Sequence, residues 1–400
     1  MENNFTLIGV DGGATKVSAW EINVDKENTK FTLSDNNVIK KYHDYPSFID
    51  NYKPVDIKIQ LDEMSKQINL TEEEKQHGEA YLDAVSDAII EIAKKSNAKK
   101  LLIGIGMPGL KTKDKRGISA LANGPRLPQY SDYIEKKLKQ NQIELFAPIA
   151  HLGSDADYCG FGEEFSVDGK FANVENSYYI GGGTGVADVL KLNGKVVPFD
   201  NTKSWLAKTW EMKNTNGISM EKYISASGIQ TIYGNYANIS FKELTEKEIY
   251  TPQIIELALN NDVNAKKTIA EVVKAIALLF FERITTIYFG SQDIFDFVNP
   301  NKEKLTANHE YKNTLLESII VGQRLGDYLE ESKGKGVFWE SIISELTELF
   351  LNFKMTDEKF NNHYMINNKF NEAIIQISKL REAPAIGAGI DAYLNGKWKK

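Results

Sequence analysis

Phe5-Thr6-Leu7-Ile8-Gly9-Val10-Asp11-Gly12-Gly13-Ala14-Thr15-Lys16-Val17-Ser18-Ala19-Trp20-Glu21-Ile22 is the stretch on which the fold turns. Residues 5–10 form an apolar run, and residues 17–22 form a second one with β-branched and aromatic members. Runs of that length and composition predict strands. Between them, the Gly12-Gly13 pair permits backbone angles that other residues resist, so the stretch predicts a β-hairpin. Walker loops and dinucleotide-binding turns lead from a strand into a helix, so strand–turn–strand argues against both.

The turn carries phosphate chemistry. Gly12 and Gly13 remove side chains, so backbone N–H groups can approach an anion closely. Thr15 adds a hydroxyl donor, and Lys16 either adds positive charge or points to solvent. Asp11 ends the strand, where a carboxylate beside phosphates suits Mg²⁺ held partly through water. A plain hairpin turn also uses Asp-Gly, so this segment alone leaves both readings standing.

The same device recurs near mid-chain. Residues 177–180 read as a strand, Gly181-Gly182-Gly183-Thr184-Gly185 as a turn, and residues 186–192 as a strand. A two-residue turn needs one or two glycines, and the surplus here costs conformational entropy. Close approach of a phosphate to Gly182, Gly183, Thr184 and Gly185 accounts for it, and a flexible surface hairpin is the simpler reading. Thr184 repeats the place of Thr15, which favours phosphate.

Working outward, residues 25–75 are polar and poorly periodic, and read as edge strands and loops forming a lid or an insertion. Residues 79–95 show helical spacing, with Leu82, Val85, Ile89, Ile92 and Ala93 on one face. Residues 101–106 predict a strand ending in the loop Met107-Pro108-Gly109. Then come a helix over 133–140, a strand over 143–149 and a helix over 156–164. A long helix covers 268–287, and a strand over 315–321 precedes Gly322. Closing helices are expected over 370–380 and 387–394.

A chain of 400 residues suits two domains better than one core. The expected division places residues 1–150 in the first domain and 151–384 in the second, with a terminal helix over 385–400 packing back on the first. The net charge of -7 gives no general attraction to nucleic acid or to an anionic membrane. Cys159 is the single cysteine, which excludes an intramolecular disulfide and fits a reducing, cytoplasmic setting. The first apolar run stops at Asp11, too early for a signal-peptide core, and no apolar stretch is long enough to span a bilayer.

The order of these segments resembles the ROK family of sugar kinases and sugar-responsive repressors. The resemblance rests on residues 9–16, Gly104-Ile105-Gly106-Met107-Pro108-Gly109, Asp155-Ala156, residues 181–185 with Asn193-Gly194-Lys195, and Ala383-Pro384-Ala385-Ile386-Gly387-Ala388-Gly389. It implies an α/β protein with the two-domain actin-like ATPase (ribonuclease H-like) fold and a cleft between the domains. It further implies ATP and Mg²⁺, a sugar substrate, and a homodimer of the kind common in that family. The two hairpins would grip the ATP phosphates through Asp11, Gly13, Thr15, Gly183 and Thr184. Asp155 matches the family's catalytic base, although an aspartate there also suits a helix N-cap. Asp157 reads as an ordinary first-turn carboxylate.

Sugar contacts carry over to Asn123 and Gly124 in Asn123-Gly124-Pro125-Arg126, to Glu221 in Met220-Glu221-Lys222-Tyr223, and to Ser154. Ser154 replaces the family's usual asparagine and reaches less far. Glu211 in Trp210-Glu211-Met212 is a second candidate carboxylate. Gly322 and Gln323 stand where that family meets the adenosine with paired glycines. Asp11 and Asp155 would hold Mg²⁺. A His-Cys₃ zinc site is impossible with one cysteine. An N-acetylhexosamine kinase of the BadF-like type, which also begins Asp-Gly-Gly-x-Thr-Lys, stays open. Iron–sulfur ATPase activators of that type lack ligands here. A non-catalytic sugar sensor would be expected to lose Asp155, and the first hairpin begins too early for a preceding DNA-binding helix-turn-helix.

Overall fold

The computed structural model describes residues 5–27, 29–355 and 357–396. The chain divides into two compact units, Met1–Ala172 with Glu382–Lys400, and Asn173–Arg381.

The first unit is built on strand β1 (Thr6–Gly12), whose side chains are largely buried. It pairs antiparallel with β2 (Lys16–Asp25), which pairs antiparallel with β3 (Lys30–Lys41). Helix α1 (Ile57–Met64) and helix α2 (Glu72–Lys95) follow. In α2 the Thr71 side chain accepts from Glu74 N–H, Glu72 to Glu74 fill the first turn, and Lys94 and Lys95 the last, each sign matched to the helix dipole. Strand β4 (Lys100–Gly106) then lies parallel to β1 on the side away from β2. A small pair, β5 (Leu110–Lys111) and β6 (Ile118–Ala120), leads to α3 (Tyr130–Gln140), β7 (Glu144–Leu145), β8 (Leu152–Gly153) and α4 (Asp155–Phe165).

Two expectations need correction here. The predicted strand over 143–149 shrinks to β7, because Pro148 lacks the N–H that a ladder needs. The first unit runs past residue 150 to Ala172. That follows from β8, which pairs parallel with β4, and from α4, which packs against the C-terminal helix Ala383–Asn395. Sheet and helix meet closely at Gly9 and Gly104, where a Cβ would lie 1.9 and 1.8 Å from the carbonyl oxygens of Ala385 and Ala388.

The region over 25–75 supplies β3 as read, but also a helix. The side chain of Gln60 on α1 is buried and pairs with the Leu121 backbone, accepting from N–H at 2.7 Å and donating to the carbonyl at 3.2 Å. Arg126, 1% exposed, is gripped by Glu74 at 2.8 and 2.7 Å and by Glu63. Removing one partner of such a buried pair costs roughly 3–5 kcal/mol. This segment therefore clamps the stretch that carries Asn123 and Gly124.

The second unit repeats the arrangement. Strand β9 (Ser177–Gly182) pairs antiparallel with β10 (Val186–Leu192), and β10 with β11 (Lys195–Val197). Strand Ser318–Gly322 lies parallel to β9, and Ile375–Ile377 parallel to that. Helices α5 (Met220–Ile224) and α6 (Ala226–Ala237) follow the first three strands, and the mostly buried helix Val263–Phe289 anchors the core. The expected helix over 370–380 is not formed. Phe370 belongs to a short hairpin, a 3₁₀ turn follows with Asn371 accepting from Ala373 N–H, and Ile375-Gln376-Ile377 pairs in the sheet. The open edge of the Ser318–Gly322 strand takes up Ile375–Ile377, which decides between helix and strand for these residues.

Candidate active site

In the first unit, sheet register brings the proposed residues together. Asp11 pairs with Gly106, and Gly106 with Gly153, so one row across three strands ends at Asp11, Met107 and Ser154-Asp155. The C-terminal ends of parallel strands are where α/β sheets place ligands.

The turn after Asp11 has all its carbonyls engaged. Lys16 O accepts from Gly13 N–H at 2.9 Å, and Thr15 O from Tyr42 N–H at 3.1 Å. The hydroxyls of Tyr42 and Tyr81 donate to Gly13 O and Ala14 O, each at 3.1 Å. The two rings stack at 3.8 Å between centroids. Among the described residues the N–H groups of Ala14 and Thr15 have no acceptor, and the Thr15 and Lys16 side chains are exposed. Two unpaired backbone donors beside an exposed hydroxyl and ammonium are chemically suited to an anion.

Asp155 is the first residue of α4. Ser154, not Asp155, caps that helix by accepting from Asp157 N–H, which corrects the alternative reading of Asp155 as a cap and gives Ser154 a scaffold task. One Asp155 oxygen accepts from Ala156 N–H at 3.0 Å, and among the described residues no ion pair involves the side chain. Tyr158, one turn on, donates to Asp391 at 2.9 Å, and His151 meets the same carboxylate at 2.7 Å. Although burial works against it, the bonds from His151, Asn395 and Tyr158 hold the Asp391 carboxyl below the usual range. Both sides of Asp155 are thus pinned to the C-terminal helix.

Burial first, then the charges of Asp155 and Glu382, push the Asp11 carboxyl up to about 7, with Lys16 pulling the other way. A desolvated Asp11 gains more from a nearby dication than a solvated carboxylate would. Among the described residues no group of three or more His, Cys, Asp or Glu has metal-site geometry. Two carboxylates completed by water and phosphate oxygens suit Mg²⁺ better than Zn²⁺. Asn123 is exposed with no hydrogen-bond partner among the described residues, and Gly124 lies against Leu121 and the Tyr81 hydroxyl.

The second unit has its own turn. Gly183 N–H donates to Gly185 O at 2.9 Å, and Gly183 O accepts from Ala226 N–H at 3.1 Å. Thr184 is exposed, and the N–H groups of Thr184 and Gly185 have no acceptor among the described residues. Glu221 lies beside this turn, its Oε1 3.3 Å from where a Gly185 Cβ would stand. The glycines, however, answer to packing. A Cβ would sit 2.8 Å from the Tyr179 hydroxyl at Gly181, 2.5 Å from Ile224 O at Gly182, and 2.4 Å from the Tyr179 hydroxyl at Gly322. Gln323 adopts φ 56°, and a Cβ at Gly183 would stand 2.7 Å from its Oε1. Glu211 is committed within the unit: Oε1 pairs with Lys302 at 2.8 Å, and Oε2 accepts from Lys208 N–H at 2.8 Å.

Sequence reasoning missed Tyr42, Tyr81 and Glu382. The tyrosines left no signal, since one lies inside the polar region over 25–75 and the other sits on a helix face. Glu382 had one, an acidic residue directly before the helix start Ala383-Pro384.

No family model matches the sequence, and no curated protein matches it. Solved structures do match. A ROK family glucokinase from Streptomyces griseus, solved with glucose and AMPPNP, is 15% identical at a TM-score of 0.55, covering 96% of this chain and 98% of its own. A ROK hexokinase from Thermus thermophilus is 14% identical at 0.54, covering 98% and 99%. A ROK family transcriptional regulator, a homologue of the E. coli MLC protein, is 13% identical at 0.52, covering 99% of this chain and 80% of its own. Among the described residues no helix is long and apolar enough to cross a membrane. The chain has the actin-like fold of the ROK sugar kinases.

Proposed function

We propose that the protein is an ATP-dependent carbohydrate kinase with Asp155 as its general base. The observation that carries this is the place of Asp155: it follows by two residues the Gly153 that shares a sheet row with Asp11, it does not cap its helix, and it forms no ion pair among the described residues. A carboxylate at the start of a helix, near unpaired backbone donors, is what phosphoryl transfer asks of a protein.

In this reading the Ala14 and Thr15 N–H groups, the Thr15 hydroxyl and Lys16 bind phosphate oxygens. In the second unit the Thr184 and Gly185 N–H groups are the matching phosphate donors, and Gly322 and Gln323 the nucleoside contacts. Asn123 and Glu221 bind sugar hydroxyls. Glu211 acts by holding Lys302 and the Lys208 backbone. Asp11 and Asp155 hold Mg²⁺, which neutralises charge on the phosphates when bound. Asp155 accepts the proton of a sugar hydroxyl as that oxygen forms a bond to the γ-phosphorus. The bond from phosphorus to the ADP oxygen breaks, ADP leaves with that electron pair, and the proton passes from Asp155 to solvent.

The test is ADP release from MgATP against a panel of hexoses, amino sugars and N-acetylated sugars. The reading predicts release that depends on one class of sugar. ATP and sugar binding with no sugar-dependent release would replace it with a sensor.

A further inference from the structure

Helix α4, which begins with Asp155, meets the C-terminal helix backbone to backbone. A Cβ at Gly387 would lie 1.9 Å from Tyr158 O, and one at Gly162 would lie 2.7 Å from Ala383 O. These glycines set the distance between the helices. They do not set the rotation of α4 about its own axis, because a glycine offers no side chain to lock.

Tyr158 supplies a lock. It lies three residues after Asp155, and residues three apart share a helix face. Its ring enters a slot against the sheet: a Cβ at Gly153 would stand 2.0 Å from ring carbon Cζ, and one at Gly106 would stand 3.0 Å from Cδ2. These two glycines pair across β4 and β8, in the row that leads to Asp11. At the far end of the ring the hydroxyl donates to Asp391 Oδ2 at 2.9 Å. The same oxygen meets His151 Nε2 at 2.7 Å, and Asp391 Oδ1 accepts from Asn395 at 2.9 Å.

Packing alone does not call for this set. A phenylalanine ring fills the same slot, and the C-terminal helix around Asp391 is otherwise apolar, with Ala385, Ile386, Ala388 and Ile390 all fully buried. Burying a carboxylate there costs free energy that an apolar pair avoids. What the polar set adds is direction. A hydrogen bond between one hydroxyl and one carboxylate oxygen holds a single rotation of α4, where apolar contact holds a range.

We propose that Asp391 and Tyr158 are positioning residues of the phosphotransfer site: their bond fixes the rotation of α4 and so the direction in which Asp155 meets the sugar hydroxyl. This rests on the kinase reading above. His151 is the third member. It ties the segment before β8 to the same carboxylate, so the chain is held on both sides of Asp155.

The experiment separates aim from folding. Tyr158→Phe keeps the ring and removes the bond, while Asp391→Ala removes its acceptor. Both should lower kcat for sugar-dependent ADP release about tenfold, measured well below the melting temperature, since a misplacement of about 1 Å can cost 10²-fold. KM for ATP and for sugar should stay within about twofold. The double variant should lose little more than Asp391→Ala alone, because both changes break the same bond. A bond that only stabilises the fold would lower the melting temperature and leave kcat in place. A Tyr158→Phe kcat within about twofold of the wild type therefore overturns the proposal, and so do losses that multiply in the double variant. If Asp391→Ala does not fold, Tyr158→Phe decides alone. Hydrogen exchange gives a reading that needs no turnover. The amide at position 158, which donates to Ser154 O at 3.0 Å, should exchange several-fold faster in Tyr158→Phe while the amides of α2 are unchanged. Unchanged exchange along α4 overturns the proposal. A wild type without sugar-dependent turnover defeats the kinase reading instead, and the exchange rates still decide whether Tyr158 and Asp391 hold α4.

Discussion

At residues 11–16 and 181–185 the chain makes the same strand–turn–strand, and each presses one glycine against protein, Gly12 against Met107 Sδ and Gly182 against the Ile224 carbonyl, whereas Gly13 is left with room. In the first turn a Cβ on Gly13 would meet only Lys16 O, at 3.3 Å, and the loop is braced by the Tyr42 and Tyr81 hydroxyls. In the second, Gly181 and Gly182 are pressed against Tyr179 and the Ile224 carbonyl, and the loop is braced by its own packing. What the two turns share is narrower than glycine: a pair of unpaired backbone N–H groups beside an exposed threonine. A glycine count therefore reports how closely protein touches protein as readily as how closely it touches a ligand. The first turn also carries an acid cluster around Asp11, which the second lacks.

In folding free energy the largest expected effect is at Asp11. Its folded pKa is raised, so its contribution is fully present below the ordinary value of 3.8 and is lost as pH rises through about 7. The difference in stability between wild type and Asp11→Asn should therefore move by on the order of 4 kcal/mol between about pH 4 and pH 8, in favour of the Asn variant at the higher pH. Urea unfolding at both pH values measures this, and Mg²⁺ at the higher pH should narrow the gap. A constant difference breaks the contrast drawn for the first turn.

Next is Gly182→Ala. A Cβ 2.5 Å from a backbone oxygen forces the second turn to shift, at a cost of roughly 2–3 kcal/mol. Gly13→Ala should stay within about 1 kcal/mol, because its single neighbour at 3.3 Å needs to give only slightly. Equal losses in urea titrations would erase the distinction between the turns.

Tyr81→Phe removes one brace of the first turn and should cost about 1 kcal/mol, with a several-fold rise in KM for ATP and little change in KM for sugar. An unchanged KM for ATP would mean that the turn needs no brace. The smallest effect expected is at Glu211: the Gln variant loses a half-buried ion pair worth about 1 kcal/mol and leaves KM for sugar nearly unchanged, whereas Glu221→Gln raises it.

The first hairpin was legible because an apolar run, a Gly pair and a β-branched run leave one local solution. The β9–β10 hairpin was legible for the same reason. Helix α2 showed its face through apolar spacing, although its start at Glu72 lay in the acidic cap that the apolar pattern misses. Less legible was everything fixed by tertiary contact. Residues 370–380 carry spaced isoleucines that helix and strand both accept, and only the open edge beside Ser318–Gly322 selects the strand. Helix α1 buries Gln60 and exposes Ile57, Ile59 and Leu61, an inversion of the usual pattern that hides it from periodicity. In the candidate site, Asp11, Thr15 and Asp155 announced themselves by motif. Glu382 reaches Asp11 from the far end of the chain, and Asp391 reaches His151 and Tyr158 on either side of Asp155 from there too, contacts that spacing does not encode.

The most direct test of the central claim is the turnover of Asp155→Asn with the sugar that the panel identifies. Asn keeps the shape of the side chain and cannot take a proton. The account predicts a fall in kcat of roughly 10²–10⁴-fold with the melting temperature and ATP affinity retained. Turnover within about tenfold of the wild type would contradict it and move the base elsewhere.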